Sequence, residues 1–70
     1  MTIKKGISLD FSQPIIVSIM VDEKSQEGFD FNEVISVFRE EDNTVILTRS
    51  DGSKVLIPGN KYIFLEIKGN

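Results

Sequence analysis

The fold is decided by residues 44–57, which read TVILTRSDGSKVLI. Two runs rich in β-branched and aliphatic residues flank the dipeptide Asp51-Gly52. Asp-Gly between two such runs favours a type I′ turn, because Asp and Gly tolerate the positive φ angles that this turn requires. A two-residue loop of this type pairs Ile46 with Ile57. The segment therefore predicts an antiparallel β-hairpin.

Further strand-like segments lie on both sides of this hairpin. Short polar turns at residues 40–43 and 58–61 separate it from its neighbours, and the chain contains no Ala, the residue with the highest helix propensity. We predict an all-β fold of five or six antiparallel strands. The strands are residues 15–21, 34–39, 44–49, 54–57 and 62–67, with a possible short one at 7–11.

The predicted registers give the sheet two apolar faces. A two-residue turn at Glu41-Asp42 pairs Val37 with Ile46, in line with the following hairpin. One face then carries Ile35, Val37, Ile46, Val55 and Ile57, and the other carries Phe38, Val45, Leu47 and Leu56. Because a sheet with one wet face alternates between apolar and polar residues, this sheet is expected to curl or to meet a partner.

Length and composition limit the chain to one small domain. The 70 residues include no Cys, no His and no Trp, so neither a disulfide nor an ordinary zinc site can support the fold. We expect a flexible arm at residues 1–6 and a single β domain at residues 7–70.

The acidity of the chain is local. Residues 22–33 read DEKSQEGFDFNE and carry five carboxylates against one Lys, within a chain of formal net charge −3. This polarity predicts a long connecting loop. Phe29 and Phe31 lie within it, spaced to point the same way if the loop is extended.

The layout of strands, long acidic loop and tight hairpin resembles an SH3-like barrel. Residues 55–63, VLIPGNKYI, are similar to the end of SH3 domains, where a one-turn linker joins the last two strands. The resemblance implies a proline-peptide groove at Pro58, Asn60 and Tyr62, with an acidic specificity loop that contains Glu23, Glu27 and Asp30. Lys61 stands before Tyr62 and the groove Trp is missing. The competing architecture is a six-stranded meander that starts at Ile7.

The last strand predicts an exposed apolar patch. If Ile63, Leu65 and Ile67 pack inward, Tyr62 and Phe64 face outward. Together with Leu56 and Phe38 they would form a contact surface. In the alternative interpretation, the N-terminal residues Ile7, Leu9 and Phe11 cover them.

The residue inventory narrows the function classes. Ser–His and Cys–His catalysis require residues that the chain does not have, and carboxylates in polar turns are too well solvated for acid–base work. The acidic residues of 22–33 do not follow the EF-hand spacing. We therefore expect neither an enzyme nor a metal or other cofactor.

Charge and hydropathy indicate where the protein acts. A net charge of −3 disfavours nucleic acid and membrane surfaces, and no apolar stretch is long enough to span a bilayer. The N-terminus lacks the apolar region of a signal peptide. The expected location is therefore the cytoplasm.

These observations predict a non-enzymatic protein–protein interaction module, such as a small bacterial or phage adaptor, regulator or assembly subunit. Its partner, another protein or a second copy of the chain, would present a basic and apolar surface. The candidate binding residues are Phe29, Phe31, Tyr62, Phe64, Glu23, Glu27 and Asp30.

Two alternatives remain open. One is a nucleic-acid-binding barrel that uses Arg39, Arg49, Lys54 and Lys61, with Tyr62 and Phe64 as stacking groups. The other is an acidic inhibitor that occupies the nucleic-acid groove of a host protein.

Overall fold

The computed structural model describes residues 3–69 and confirms an all-β, antiparallel fold. Its strands are β1 (Ser8–Asp22), β2 (Glu27–Arg39), β3 (Val45–Arg49), β4 (Lys54–Ile57) and β5 (Phe64–Gly69). They form one meander-like sheet in the order β4-β3-β2-β1-β5. Within the described residues β4 and β5 do not pair with each other, so the sheet is not closed into the barrel that the sequence predicted.

β1 is a single bent strand where the sequence predicted two segments. Asp10 pairs with Ser36 and Ile15 pairs with Val34, so four residues of β1 stand against Ile35 alone. Extra residues on one side of an antiparallel pair force that strand to bend and increase its twist. Pro14 lies within this irregular stretch, where its missing N–H does least harm to the ladder.

The bend wraps the sheet around one apolar core. The buried side chains are Ile3, Val17, Ile19, Val34, Val37, Val45, Leu47 and Ile57. Others are partly buried against them: Leu9, Phe11, Ile15, Val21, Phe31, Val55, Tyr62, Leu65 and Ile67. The Cα radius of gyration is 11.4 Å, close to the ~11 Å expected of a compact chain of this length. The sheet is therefore curled, with a concave face that forms the core and a convex face in solvent.

Residues 3–6 are held against the end of β2. Ile3 is 7% exposed, and its carbonyl oxygen accepts a hydrogen bond of 2.9 Å from Arg39 Nη1. The Gly6 N–H donates to the Arg39 carbonyl at 2.7 Å. This part of the predicted arm therefore contributes to the core, and residues 1 and 2 lie outside the described residues.

The β3–β4 hairpin has a three-residue loop, and the predicted type I′ turn is wrong. The Arg49 N–H donates to the Ser53 carbonyl, and the Gly52 N–H donates to the Arg49 carbonyl, both at 2.9 Å. Gly52 has a φ of 88°, whereas Asp51 is not among the residues with positive φ. This is a type I turn followed by a left-handed residue. The register moves by one residue, so that Ile46 pairs with Leu56.

The β2–β3 hairpin repeats the same loop. The Glu40 N–H donates to the Thr44 carbonyl at 2.8 Å, and the Asn43 N–H donates to the Glu40 carbonyl at 3.0 Å. Asn43 takes the left-handed position with a φ of 73°. The predicted pairing of Val37 with Ile46 is wrong, because Val37 pairs with Leu47.

The corrected registers exchange residues between the two predicted faces. Val45 and Leu47 are buried in the core, although the sequence placed them on the second face. Phe38, Ile46 and Leu56 align across three strands on the convex face, where Leu56 is 63% exposed.

The predicted loop at residues 22–33 is mostly strand. Asp22 pairs with Glu27, which leaves residues 23–26 as the connection between β1 and β2. Asp22 Oδ1 accepts a hydrogen bond of 2.9 Å from the Lys24 N–H, and Gln26 has a φ of 60°. Of the candidate binding residues predicted in the acidic loop, Glu23 lies in the turn, and the others lie on β2: Glu27, Phe29, Asp30 and Phe31.

The corrected register can be tested with a matched pair of leucines. We expect Leu47→Ala to destabilise the domain by about 2–5 kcal/mol, because it empties part of the core. This is a large part of the roughly 4–10 kcal/mol expected for a chain of this length. Leu56→Ala removes an exposed side chain and is expected to change the free energy of unfolding by less than about 0.5 kcal/mol. Urea denaturation measures both, and equal losses would contradict the observed register.

The two hairpin loops predict a loss of stability in acid. A backbone and a side-chain hydrogen bond from Thr44 lower the pKa of Asp42 below its usual 3.8. Side-chain and backbone hydrogen bonds from Ser53 lower the pKa of Asp51 in the same way. Because the folded pKa is below the unfolded one, this stabilisation is complete above the unfolded pKa and disappears as pH falls through the folded value.

We therefore expect Asp51→Asn and Asp42→Asn to retain more of their neutral-pH stability in acid than the parent chain does. Thermal unfolding between about pH 6 and about pH 2 measures this difference. Since both groups are at the surface, the change is expected to be small. Parallel pH profiles for parent and variants would show that other carboxylates cause the acid sensitivity.

Candidate functional site

A groove on the convex face lies where β1, β2 and β5 meet. Met20 pairs with both Phe64 and Gly28, which places these three residues in one row across the strands. The next row contains Glu66, Ser18 and Asp30. The groove has a volume of about 270 Å³. Its lining residues are Ser18, Ile19, Met20, Gln26, Gly28, Phe29, Asp30, Phe64, Glu66 and Lys68.

Gly28 keeps the floor of the groove free of a side chain. A Cβ atom at this position would lie 2.6 Å from the carbonyl oxygen of Ile19. This is a contact with backbone, which cannot move aside as a flexible side chain can. The close approach of β1 and β2 therefore requires Gly at this position.

Carboxylates dominate the charge around the groove. Asp30 Oδ1 accepts a hydrogen bond from Ser18 Oγ and lies 4.0 Å from Lys68 Nζ. The Lys68 and Asp30 side chains are 48% and 64% exposed, so this ion pair contributes little to stability and remains open to a competing charge. Exposed carboxylates at this end of the molecule are Asp22, Glu23, Glu27, Asp30 and Glu66.

The structure brings several of the predicted binding residues to this end of the sheet. Phe64 is 48% exposed on β5, and Phe29 is 52% exposed on β2. Phe29 pairs with Ile19, whose side chain is buried, so it continues the core-facing row at the open end of the curl. Glu27 and Asp30 are close to it along β2, and Glu23 lies in the adjacent turn.

Phe31 and Tyr62 are not part of the exposed surface. Phe31 is half-buried beneath Arg49, whose Cζ atom lies 6.0 Å from the centre of the ring. The Tyr62 hydroxyl donates a hydrogen bond of 2.6 Å to the Asn43 carbonyl, and its ring packs against the core. Both therefore contribute to packing in this structure.

A second depression lies beside the N-terminal segment. It has a volume of about 220 Å³ and is lined by Ile3, Arg39, Val45, Tyr62, Ile63, Phe64 and Leu65. Ile63 is 51% exposed here. Phe64 borders both depressions, so the apolar surface continues around the start of β5. The predicted patch of Phe64, Tyr62, Leu56 and Phe38, in contrast, is divided. Leu56 and Phe38 align with Ile46 of β3 on the opposite side of the sheet from β5.

Sequence analysis did not find several residues of the groove. Ser18 and Met20 alternate with the buried Val17 and Ile19, and this alternation was a signal that the two residues lie on the outer face of β1. Glu66 and Lys68 alternate with Leu65 and Ile67 in the same way. Gly28 gave no signal, since its role depends on the approach of another strand.

The described residues hold no group of three or more carboxylate, His or Cys side chains arranged to bind a metal ion. Residues 3–69 likewise contain no helix of the length and apolarity needed to cross a bilayer. Comparison with known proteins gives no match to a family model, to a curated protein or to a solved structure.

The role of Gly28 can be tested by substitution. We expect Gly28→Ala to destabilise the domain by about 1–3 kcal/mol, because the new methyl group overlaps the backbone of β1. Glu27→Ala, at the neighbouring exposed position, is expected to change the free energy of unfolding by less than about 0.5 kcal/mol. Chemical denaturation compares the two variants. Unchanged stability in Gly28→Ala would show that β1 and β2 are further apart than described.

Proposed function

We propose that the protein is a non-enzymatic protein–protein interaction module that binds a basic and apolar segment of another protein. The observation that carries this proposal is the groove itself. Its apolar part is formed by Phe64, which is 48% exposed, and by the partly buried Met20, and it adjoins the carboxylates of Asp30 and Glu66. Exposed apolar surface bordered by polar groups is typical of contact sites.

The two kinds of group have separate roles in such a contact. Covering the exposed half of the Phe64 side chain contributes roughly 1 kcal/mol, because complete burial of Phe yields about 1.5–3 kcal/mol. The carboxylates attract cationic partners and disfavour acidic ones, and so contribute mainly to specificity and association rate. Among residues 3–69, Lys68 is the one cation that lines the groove, and its exposed ion pair with Asp30 can exchange for a cation of the partner.

We also propose that the fold is SH3-like, in a small cytoplasmic adaptor, regulator or assembly subunit. In support, β5 returns to pair with β1 after the short turn at residues 58–61. The proposed surface differs from the proline-peptide groove of the SH3 family. The ring of Tyr62 is packed against the core. The acidic residues that would select the partner, Glu27 and Asp30, lie on β2 and not in a loop.

The nucleic-acid alternative has less support. Arg39 donates hydrogen bonds to the Ile3 carbonyl and to Asn43 Oδ1. Arg49 covers the ring of Phe31. Two of the four predicted phosphate-binding cations are therefore engaged within the chain. The acidic-inhibitor alternative uses the same carboxylates as our proposal and differs only in the identity of the partner.

The proposal is tested by NMR titration with a short peptide in which lysine and leucine alternate. We expect shift changes concentrated at Met20, Gly28, Asp30 and Phe64. A peptide of alternating glutamate and leucine is the charge control. Affinity for the lysine peptide should fall as salt is added, because exposed charges are screened.

Matched variants identify the surface that binds. Phe64→Ala is expected to weaken binding about fivefold, which corresponds to roughly 1 kcal/mol. Asp30→Lys should weaken it further, since it reverses a charge at the groove. Leu56→Ala is the control, because Leu56 is equally apolar and 63% exposed but lies on β4. Equal losses in Phe64→Ala and Leu56→Ala, or salt-independent binding, would refute the proposed site.

A further inference from the structure

Four stretches of strand backbone have no neighbour on one side within residues 3–69. They are β4, β5, residues 27–32 of β2 and residues 8–15 of β1. A free strand edge presents unpaired N–H and C=O groups and is a template for further pairing. The four edges differ in how they are protected. The free stretch of β1 contains Pro14 and the irregular pairing that bends the strand, and both discourage an added strand.

Two of the other edges, those of β4 and β2, also carry features that discourage pairing. β4 has four residues, starts at Lys54 and is followed by Pro58. The free stretch of β2 carries the carboxylates of Glu27 and Asp30, and Glu33 follows it. Short length, proline and charge are common protections of sheet edges.

β5 has weaker protection. It contains six residues without Pro, and its two charges, Glu66 and Lys68, are opposite in sign. Its pairing with β1 is regular from Phe64 to Ile67, and the register shift lies after Ile67. Its core-facing residues Leu65 and Ile67 are only partly buried, because the sheet is open beside them. An additional strand at this edge would cover both side chains and satisfy the free backbone groups. The geometry at β5 therefore favours an added strand.

We propose that β5 pairs antiparallel with β5 of a second copy of this chain, about a two-fold axis at Ile67. In an antiparallel pair, residues opposite each other share a face of the sheet. An axis at Ile67 places Glu66 opposite the partner subunit's Lys68, and symmetry repeats this ion pair. The two Ile67 residues then face each other on the core side.

The charges of β5 select this register over its neighbours. An axis at Glu66 places two glutamates opposite each other, and an axis at Lys68 places two lysines opposite each other. Like charges at directly opposite positions destabilise a sheet. An axis at Leu65 places Glu66 opposite the partner's Phe64 and leaves Lys68 without a carboxylate opposite it. The sequence of β5 is therefore self-complementary around Ile67.

Pairing in this register joins two sheets into one. The convex grooves of the two copies then lie next to each other, with the partner's Lys68 beside Glu66 at the edge of the groove. This inference does not depend on the proposed peptide binding, because self-association is measured on the chain alone, without peptide.

The test measures self-association by sedimentation equilibrium over a range of concentrations. We expect Glu66→Lys to weaken dimerisation about tenfold, because both ion pairs become repulsive. This variant changes the formal charge from −3 to −1, so general repulsion between copies would change in the opposite direction. Lys68→Glu should also weaken the dimer. The double variant Glu66→Lys/Lys68→Glu restores opposite charges at the original net charge and should recover the parent affinity.

A second readout follows the backbone of β5 directly. In an antiparallel edge strand, alternate N–H groups point away from the neighbouring strand. We expect these N–H groups in residues 64–69 to exchange more slowly with solvent as protein concentration rises, whereas those of β4 do not change. Monomeric mass at every concentration, or failure of the double variant to recover association, would overturn the proposal.

Discussion

The irregular pairing of β1 with β2 is the constraint on which the rest of the structure depends. Residues 11–14 of β1 stand opposite a single residue of β2, so the two strands cannot continue as a flat ribbon. Residues 3–69 include no helix that could cover a flat sheet. The bend solves that problem, because it turns the apolar side of the sheet onto itself. Val17 and Val37 lie on either side of the bend and are both fully buried.

The same bend determines which surfaces remain available. A sheet that curls without closing has a concave face filled by its own side chains, a convex face in solvent and free edges. The alternation of side chains along β1 then decides which face each residue occupies. Val17 and Ile19 point to the core, whereas Ser18 and Met20 point to the convex face. The groove is thus a consequence of the core pattern combined with the bare position at Gly28, and no separate loop is needed to form it.

Most strands of this fold were predictable from composition and alternation, but their register was not. Residues 45–47, Val-Ile-Leu, are all apolar, so the pattern alone does not decide which of them is buried. The choice depends on the turns. Asp51 accepts a hydrogen bond of 2.8 Å from the Ser53 N–H, and a left-handed residue at Gly52 closes the loop. An Asp-Gly dipeptide suits both this loop and a two-residue turn.

The candidate site was predictable in part. Phe64 followed from alternation along the last strand, and Asp30 from the cluster of carboxylates. The placement of Tyr62 did not follow, because the bond from its hydroxyl to Asn43 joins residues that are distant in sequence. Residues 27–31 were predicted to form a loop because their pairing with β1 is also not visible from the local sequence. Their polar composition is compatible with a strand only when the adjacent β1 residues, such as Ile19, supply most of the apolar contacts.

The carboxylates near the β1–β2 turn have two effects: they protect a free strand edge and they attract cations. On β2, Glu27 and Asp30 protect a free edge, because an added strand would bring its own polar backbone against charged side chains. The same groups make that end of the molecule attractive to cations, provided that they stay exposed. β5 differs because Glu66 is followed two residues later by Lys68, so its charges balance within one strand. The β5 edge therefore repels a second acidic surface less than the β2 edge does. Of the free edges, it is the one that best accommodates a strand of the same sequence.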